Sequence, residues 1–374
     1  MHRPKLLASV LFLISVIAQA VDGPSVEVRP GVFASRDLAG IPLPCSGSRV
    51  YLVGETHGLR ESEALFADYL SRLHAKAALR DVALEEDQVF NQAAQDFVEW
   101  KSDSIPEQLC LRANILGVLR RFNARRAQNE RIRVHLVDID SPAGAIRGHL
   151  LGLTTRIAGA RAVPVPSEAR IARHGLETVD ELARLTSDRT LQGELRTIRH
   201  SVLALRQGLE IGTRLNKGNP LLEDREQAVT ENIQDLLRQP ACRVLLALYG
   251  YAHVWKRPTK AYDGLPGRGK DFYPLACRLE QAGVRTFSLS CHALSGRMRW
   301  RGQEIELPRL AGDVRLATGE TLDQIVTAAP GAAFFYVDPA RQKVSMRGLE
   351  TAGLAVDAFL FIARVTPMES RCVK

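Results

Sequence analysis

Five short apolar runs, each followed by a potential catalytic group, constrain this chain more than any other feature of its sequence. The runs are Arg49–Val53, Asp81–Leu84, Arg133–Val137, Arg243–Leu248 and Val284–Leu289. They are too short for stable helices, and their continuous apolar character is that of strands covered on both faces. Segments with apolar residues at helical spacing lie between them. One is Glu61–Lys76, with Leu65, Tyr69, Leu70 and Leu73 on one face. Another is Ile105–Ala127, with Leu109, Ile115, Leu119 and Phe122, and Leu222–Leu237 and Phe272–Ala282 follow. Alternation of such strands and helices predicts an α/β fold: a mostly parallel, mixed central sheet with helices on both faces.

Two regions depart from this rhythm. Pro142–Gly218 is Arg-rich, helical in pattern and lacks a clear strand. It is predicted to be a helical insertion, either a cap over the site or a plain helical layer. From about Arg297 the chain turns β-rich. Met298–Ile305, Ala333–Asp338 and Lys343–Met346 are expected to form antiparallel strands, and Ala358–Val365 another buried strand, finishing the same sheet or flanking it. Tyr262–Asp271 is a Gly-rich loop by composition. No linker of disordered composition interrupts residues 21–374, so one domain is expected there.

Residues 1–20 are read separately. Arg3 and Lys5 precede the apolar run Leu6–Ala18, and Ala18-Gln19-Ala20 supplies small residues at a cleavage site. That order is a secretory signal, with an apolar run too short to span a bilayer. The expected location is the periplasm or outside the cell, with no stable membrane anchor after cleavage. Six cysteines permit disulfides there, and a bridge between Cys45 and Cys372, near the ends of the mature chain, is one candidate. The net charge of +8 is spread out rather than clustered with aromatics. Nucleic acid is therefore not an expected partner, and a small-molecule substrate is.

In a parallel sheet the C-terminal strand ends share one edge, where ligands bind. The five runs are followed there by Glu55 and His57, Glu85-Glu86-Asp87, Asp138 and Asp140, His253, and His292. An imidazole beside a carboxylate is held in one tautomer and made more basic, which suits it to take a proton from water. His57, with Glu55 or Glu85, fits that role, and His253 could donate a proton or stabilise negative charge. Gly54, Gly58 and Gly250 would let backbone approach a substrate. Two His and a carboxylate would serve equally as ligands of a divalent metal with an open position. Arg225, at the start of a helix, is open to two readings: a surface residue, or a cation aimed into the cleft. Structural alternatives stand beside these. Glu86 and Asp87 would suit a helix N-terminus, and Asp138 and Asp140 would cap the Ser-Pro turn. No Gly-x-Ser-x-Gly elbow, Walker A loop or His-Glu-x-x-His helix competes.

Gly54-Glu55-Thr56-His57-Gly58-Leu59-Arg60-Glu61 resembles the G-E-x-T-H-G-x-x-E block of erythromycin esterase-like proteins, one residue shorter between Glu and His. Val82–Glu85 is similar to that family's second strand. Leu119–Asn123 with Arg133–Asp140, Arg225–Ile233, Ala252-His253 and Val356–Pro367 resemble its later blocks, the last ending in Thr366-Pro367. Glu226 stands where the family has Asp or Asn. The resemblance implies a mixed sheet flanked by helices, with His57 as general base and Glu55, Glu85 and His253 assisting. Arg225 and Glu61, on matching blocks, join the candidate site. The expected function is hydrolysis of an ester or lactone. The same superfamily includes Tiki-type metalloproteases and haem-binding lipoproteins, which makes a divalent-metal-dependent hydrolase or peptidase, or a non-catalytic haem-binding or other ligand-binding protein, the alternatives. The cofactor is left unassigned.

Overall fold

A computed structural model describes residues 25–42, 47–139, 142–210, 222–260, 271–300, 303–346 and 356–368. The signal-like segment, Cys45, Asp140, residues 211–218 of the insertion, most of Tyr262–Asp271 and Cys372 lie outside them.

Nine strands form the main sheet: β1 (Val26–Arg29), β2 (Val32–Ser35), β3 (Val50–Glu55), β4 (Asp81–Asp87), β5 (Arg133–Asp138), β6 (Leu245–Gly250), β7 (Thr286–Ala293), β8 (Phe334–Val337) and β9 (Ala358–Ile362). Their order is β1-β2-β8-β9-β7-β3-β6-β4-β5. β9 and β7, β7 and β3, and β4 and β5 pair parallel. β1 with β2, β2 with β8, and β8 with β9 pair antiparallel, so the sheet is mixed, as the sequence predicts. β3, β6, β7, β8 and β9 are buried along their whole length, whereas β4 and β5, on two of the five apolar runs, are only partly so. The described helices are α1 (Arg60–Ala77), α2 (Asn91–Val98), α3 (Ala113–Asn123), α4 (Ala143–Arg156), α5 (Ile171–Leu185), α6 (Arg189–Glu210), α7 (Leu222–Arg238), α8 (Leu275–Gln281) and α9 (Leu322–Ala328).

The chain divides into two compact units. The first comprises Met1–Leu79, Leu248–Arg257 and Arg285–Lys374. In it α1 buries Leu65, Phe66, Tyr69, Leu70 and Leu73, the face read from the 3.6-residue period. The expected β-rich region splits. β8 and β9 complete the main sheet, while Gly296–Trp300 pairs with Gln303–Leu307 as a hairpin and Val314–Leu316 pairs with Val344–Met346.

The second unit comprises Arg80–Ala247 and Pro258–Val284. The run expected as one helix over Ile105–Ala127 is a 3-10 turn, Glu107–Arg112, followed by α3. The regular structure in the described part of the insertion is all helical. α4, α5 and α6 enclose a core of their own, with Ile146, Leu150, Leu153, Ile171, Val179, Leu182, Leu195, Ile198 and Val202. β5 is the margin of the sheet, and side chains satisfy several of its backbone groups. Gln95 Oε1 accepts from Val134 N (2.9 Å), Asn91 Oδ1 from Leu136 N (2.8 Å), and Asn232 Nδ2 donates to Val137 O (2.9 Å). Asn123 exchanges two bonds with the backbone of Ile132. Asn123 and Asn232, both in blocks that carry the family resemblance, thus anchor backbone here.

Candidate functional site

β3 delivers Glu55 and His57 to the end of a fully buried strand. Glu55 is only 3% exposed, and its Oε1 lies 3.1 Å from His57 Nδ1. The His57 side chain is 33% exposed. A carboxylate accepting Nδ1–H leaves Nε2 as the lone-pair nitrogen, the form that can take a proton.

Two glycines make this geometry possible. A Cβ on Gly54 would sit 2.6 Å from Val254 Cγ2 and 2.8 Å from Tyr251 Cα, because the 3-10 turn Tyr251–Val254 after β6 lies against it. Gly58 has φ +80°, and a Cβ there would meet Arg299 O at 1.9 Å. His253, on that same 3-10 turn, is buried with its ring edge-on to Tyr249, centroids 5.7 Å apart. Glu61, on the first turn of α1, accepts from the backbone N and Oγ1 of Thr366.

His292 has a different environment. Its Nε2 is 2.9 Å from Ser290 Oγ, and its ring contacts Tyr251, Phe359 and Phe361. Burial pushes its pKa down to about 4, so it is a neutral core residue at physiological pH.

The second unit holds a group of its own at the ends of β4 and β5. Arg225 donates from Nε to Asp138 Oδ1 (2.8 Å) and from Nη2 to Glu85 Oε1 (2.9 Å), with a further bond to Asp138 Oδ2. Arg225 is neither a free surface residue nor seen to face a ligand: it bridges two strand-end carboxylates. Burial works against its charge, but Asp138 first and Glu85 next outweigh it, and the guanidinium is held well above its ordinary range. Asp138 also accepts from Ile139 N. Beside them Glu86 pairs with Arg112 Nε at 3.1 Å. Burial pushes the Glu86 carboxyl up to about 7; Arg112 opposes this, and Glu85 and Asp138 reinforce it.

The structure therefore brings Glu55 to His57, Glu85 to Arg225, and Glu61 to Thr366. Arg112 gave no signal in the sequence, since an Arg between Leu109 and Ile115 reads as an exposed position on an amphipathic segment. Among the described residues no three His, Cys, Asp or Glu side chains gather in metal-ligating geometry. A cavity of about 550 Å³ in the second unit is lined by His135, His149, Arg156, Glu194 and Asp235 among others, and neither Glu85 nor Arg225 lines it.

No protein-family model matches the sequence, and no curated protein matches it. Solved structures do. A Bacillus cereus protein superposes with TM-score 0.63 at 13% identity, covering 87% of this chain and 91% of its own. A succinoglycan biosynthesis protein superposes with TM-score 0.62 at 12% identity, covering 94% and 97%. A mutant of the erythromycin esterase EreC in its open conformation gives TM-score 0.61 at 12% identity over 87% of this chain and 93% of its own. The chain therefore has the α/β fold that an erythromycin esterase also adopts, as the strand-end motifs led us to expect.

Proposed function

We propose that this chain is an exported hydrolase that cleaves an ester or lactone with water activated by His57. The observation that carries the reading is the Glu55–His57 pair: a buried carboxylate 3.1 Å from the Nδ1 of an imidazole that still reaches solvent. Glu55 orients the ring, and Nε2 takes a proton from water as the oxygen attacks the carbonyl carbon. The tetrahedral intermediate then collapses, and the imidazolium returns that proton to the departing alkoxide. General-base catalysis of this kind supplies roughly 10²- to 10⁴-fold in rate. His253, which shares the 3-10 turn that lies on Gly54, is the candidate to assist.

Export is supported by the three-part N-terminal pattern and by Cys110, which is disulfide-bonded, as expected of a protein in an oxidising compartment. Among the described residues no helix is long and apolar enough to cross a membrane.

The test is a panel of p-nitrophenyl esters and lactones, assayed with and without chelator, on wild type, His57→Ala and Glu55→Gln. We expect His57→Ala to lose at least about a hundredfold in kcat/KM, independently of chelator. Unchanged turnover in His57→Ala would remove the proposal, and turnover abolished by chelator would move it to the metal-dependent class.

A further inference from the structure

The loop that carries His57 is gripped from the far end of the chain. Residues Val365–Met368 run as a strap between that loop and the strand Gly296–Trp300. On the loop side, Met368 N donates to Gly58 O (2.9 Å) and Arg60 N to Thr366 O (3.1 Å), and Leu59 bridges to Pro367. On the other side, Arg297 N donates to Val365 O (3.2 Å) and Val365 N to Ser295 O (2.9 Å). Arg299 N closes the circuit on Gly58 O at 3.1 Å. Both lone pairs of that one carbonyl, the residue after His57, are thus engaged from outside its own loop.

One side chain fastens the strap. Glu61 accepts the Thr366 backbone N–H through both oxygens (3.2 and 3.0 Å) and the Thr366 hydroxyl at 2.8 Å. A carboxylate taking a backbone N–H and a hydroxyl from one residue holds it in position as well as in orientation. Glu61 closes the Gly54–Glu61 block and Thr366-Pro367 closes the chain's last block, and the proton transfer proposed for His57 uses neither. Their contact gives both a role.

We infer that Glu61 and Thr366 form a clamp that positions the His57 imidazole on Glu55, so that both are positioning residues for the hydrolysis proposed above. The inference rests on that reading for its kinetic consequence, but its structural part stands apart. The Glu55–His57 bond is fixed only if the loop Thr56–Leu59 is fixed. Gly58 at φ +80° gives that loop freedom the strap must remove. Misplacing a catalytic group by about 1 Å costs on the order of a hundredfold in rate, so loss of the clamp falls on kcat. Thr366 is itself exposed, so removing its hydroxyl leaves the buried core untouched.

The experiment uses the full chain with ¹⁵N-labelled histidine, as wild type, Glu61→Ala, Thr366→Val and Thr366→Ser. The His57 signals are assigned by their loss in His57→Gln. In wild type the ring nitrogens should report one tautomer, protonated at Nδ1. Glu61→Ala and Thr366→Val should give a mixture, while Thr366→Ser, which keeps the hydroxyl, restores the single form. With p-nitrophenyl acetate, kcat should fall about tenfold to a hundredfold in the first two variants with KM moving less than about twofold. A single tautomer with unchanged kcat in both would overturn the clamp, as would Thr366→Ser behaving like Thr366→Val. If Glu61→Ala does not fold, Thr366→Val alone decides. If wild type turns over no ester, the hydrolase reading fails and the tautomer comparison still settles the clamp.

Discussion

The strand-end group of the first unit and that of the second use the same acidic residue type in opposite ways. In the first, one buried carboxylate faces an imidazole whose side chain is one-third exposed. In the second, Glu85 and Asp138 share a guanidinium that never releases its proton and is held further in that state by their charges. The first group sets a buried carboxylate against a ring that reaches solvent. The second is a fixed electrostatic brace between two strand ends and a helix. A carboxylate at the end of a strand is thus not in itself a sign of chemistry. The partner it faces decides what it can do.

The sharpest way to break this contrast is Arg225→Met. It would leave Glu85 and Asp138 buried without their shared cation, and removing one partner of such a pair costs about 3–5 kcal/mol. Urea denaturation should show that loss, and a cost below about 1 kcal/mol would mean that the group is no brace.

Glu86 provides the next test. Its carboxyl titrates near 7 in the fold against an ordinary value of 4.5. The folded state holds that proton more tightly, so the stabilisation is complete below pH 4.5 and is lost as pH rises through about 7. From pH 5 to pH 8 the wild-type protein should lose up to about 3 kcal/mol on this account, and Glu86→Gln should flatten the profile. An identical pH dependence in the two proteins would place the titrating group elsewhere.

The smallest stability effect is expected at Glu55→Gln, about 1 kcal/mol, the scale of one hydrogen bond. Calorimetry should show a small shift in Tm while ester turnover falls. A large destabilisation there would erase the difference between the two groups.

Much of the fold was legible in the sequence, because burial on both faces leaves a contiguous apolar run. β3, β4, β5, β6 and β7 fall on the five runs with ends shifted by a few residues, mostly towards the polar C-terminal side. α2 was not seen. Its sequence Asn91–Val98 is rich in amides and buries only Ala94 and Val98, and its contribution, the two caps on β5, makes sense only once β5 is known to be the margin. β1 and β2 carry little signal for a similar reason: four residues each, with Glu27 and Arg29 interrupting the first. At the site, Glu55 and His57 were legible because two residues of separation place their contact within the local sequence. Arg225 was visible as a candidate, but its partners, at 85 and 138, were not. Nothing local to Glu61 pointed to Thr366, since that contact exists only through tertiary folding.

The amide side chains along β5 have one more consequence. A sheet margin with open N–H and C=O groups is a template on which another chain can add a strand. Here Asn91 and Gln95 already occupy two N–H groups an incoming strand would need. Edge-to-edge growth through those two groups would first require α2 to peel away.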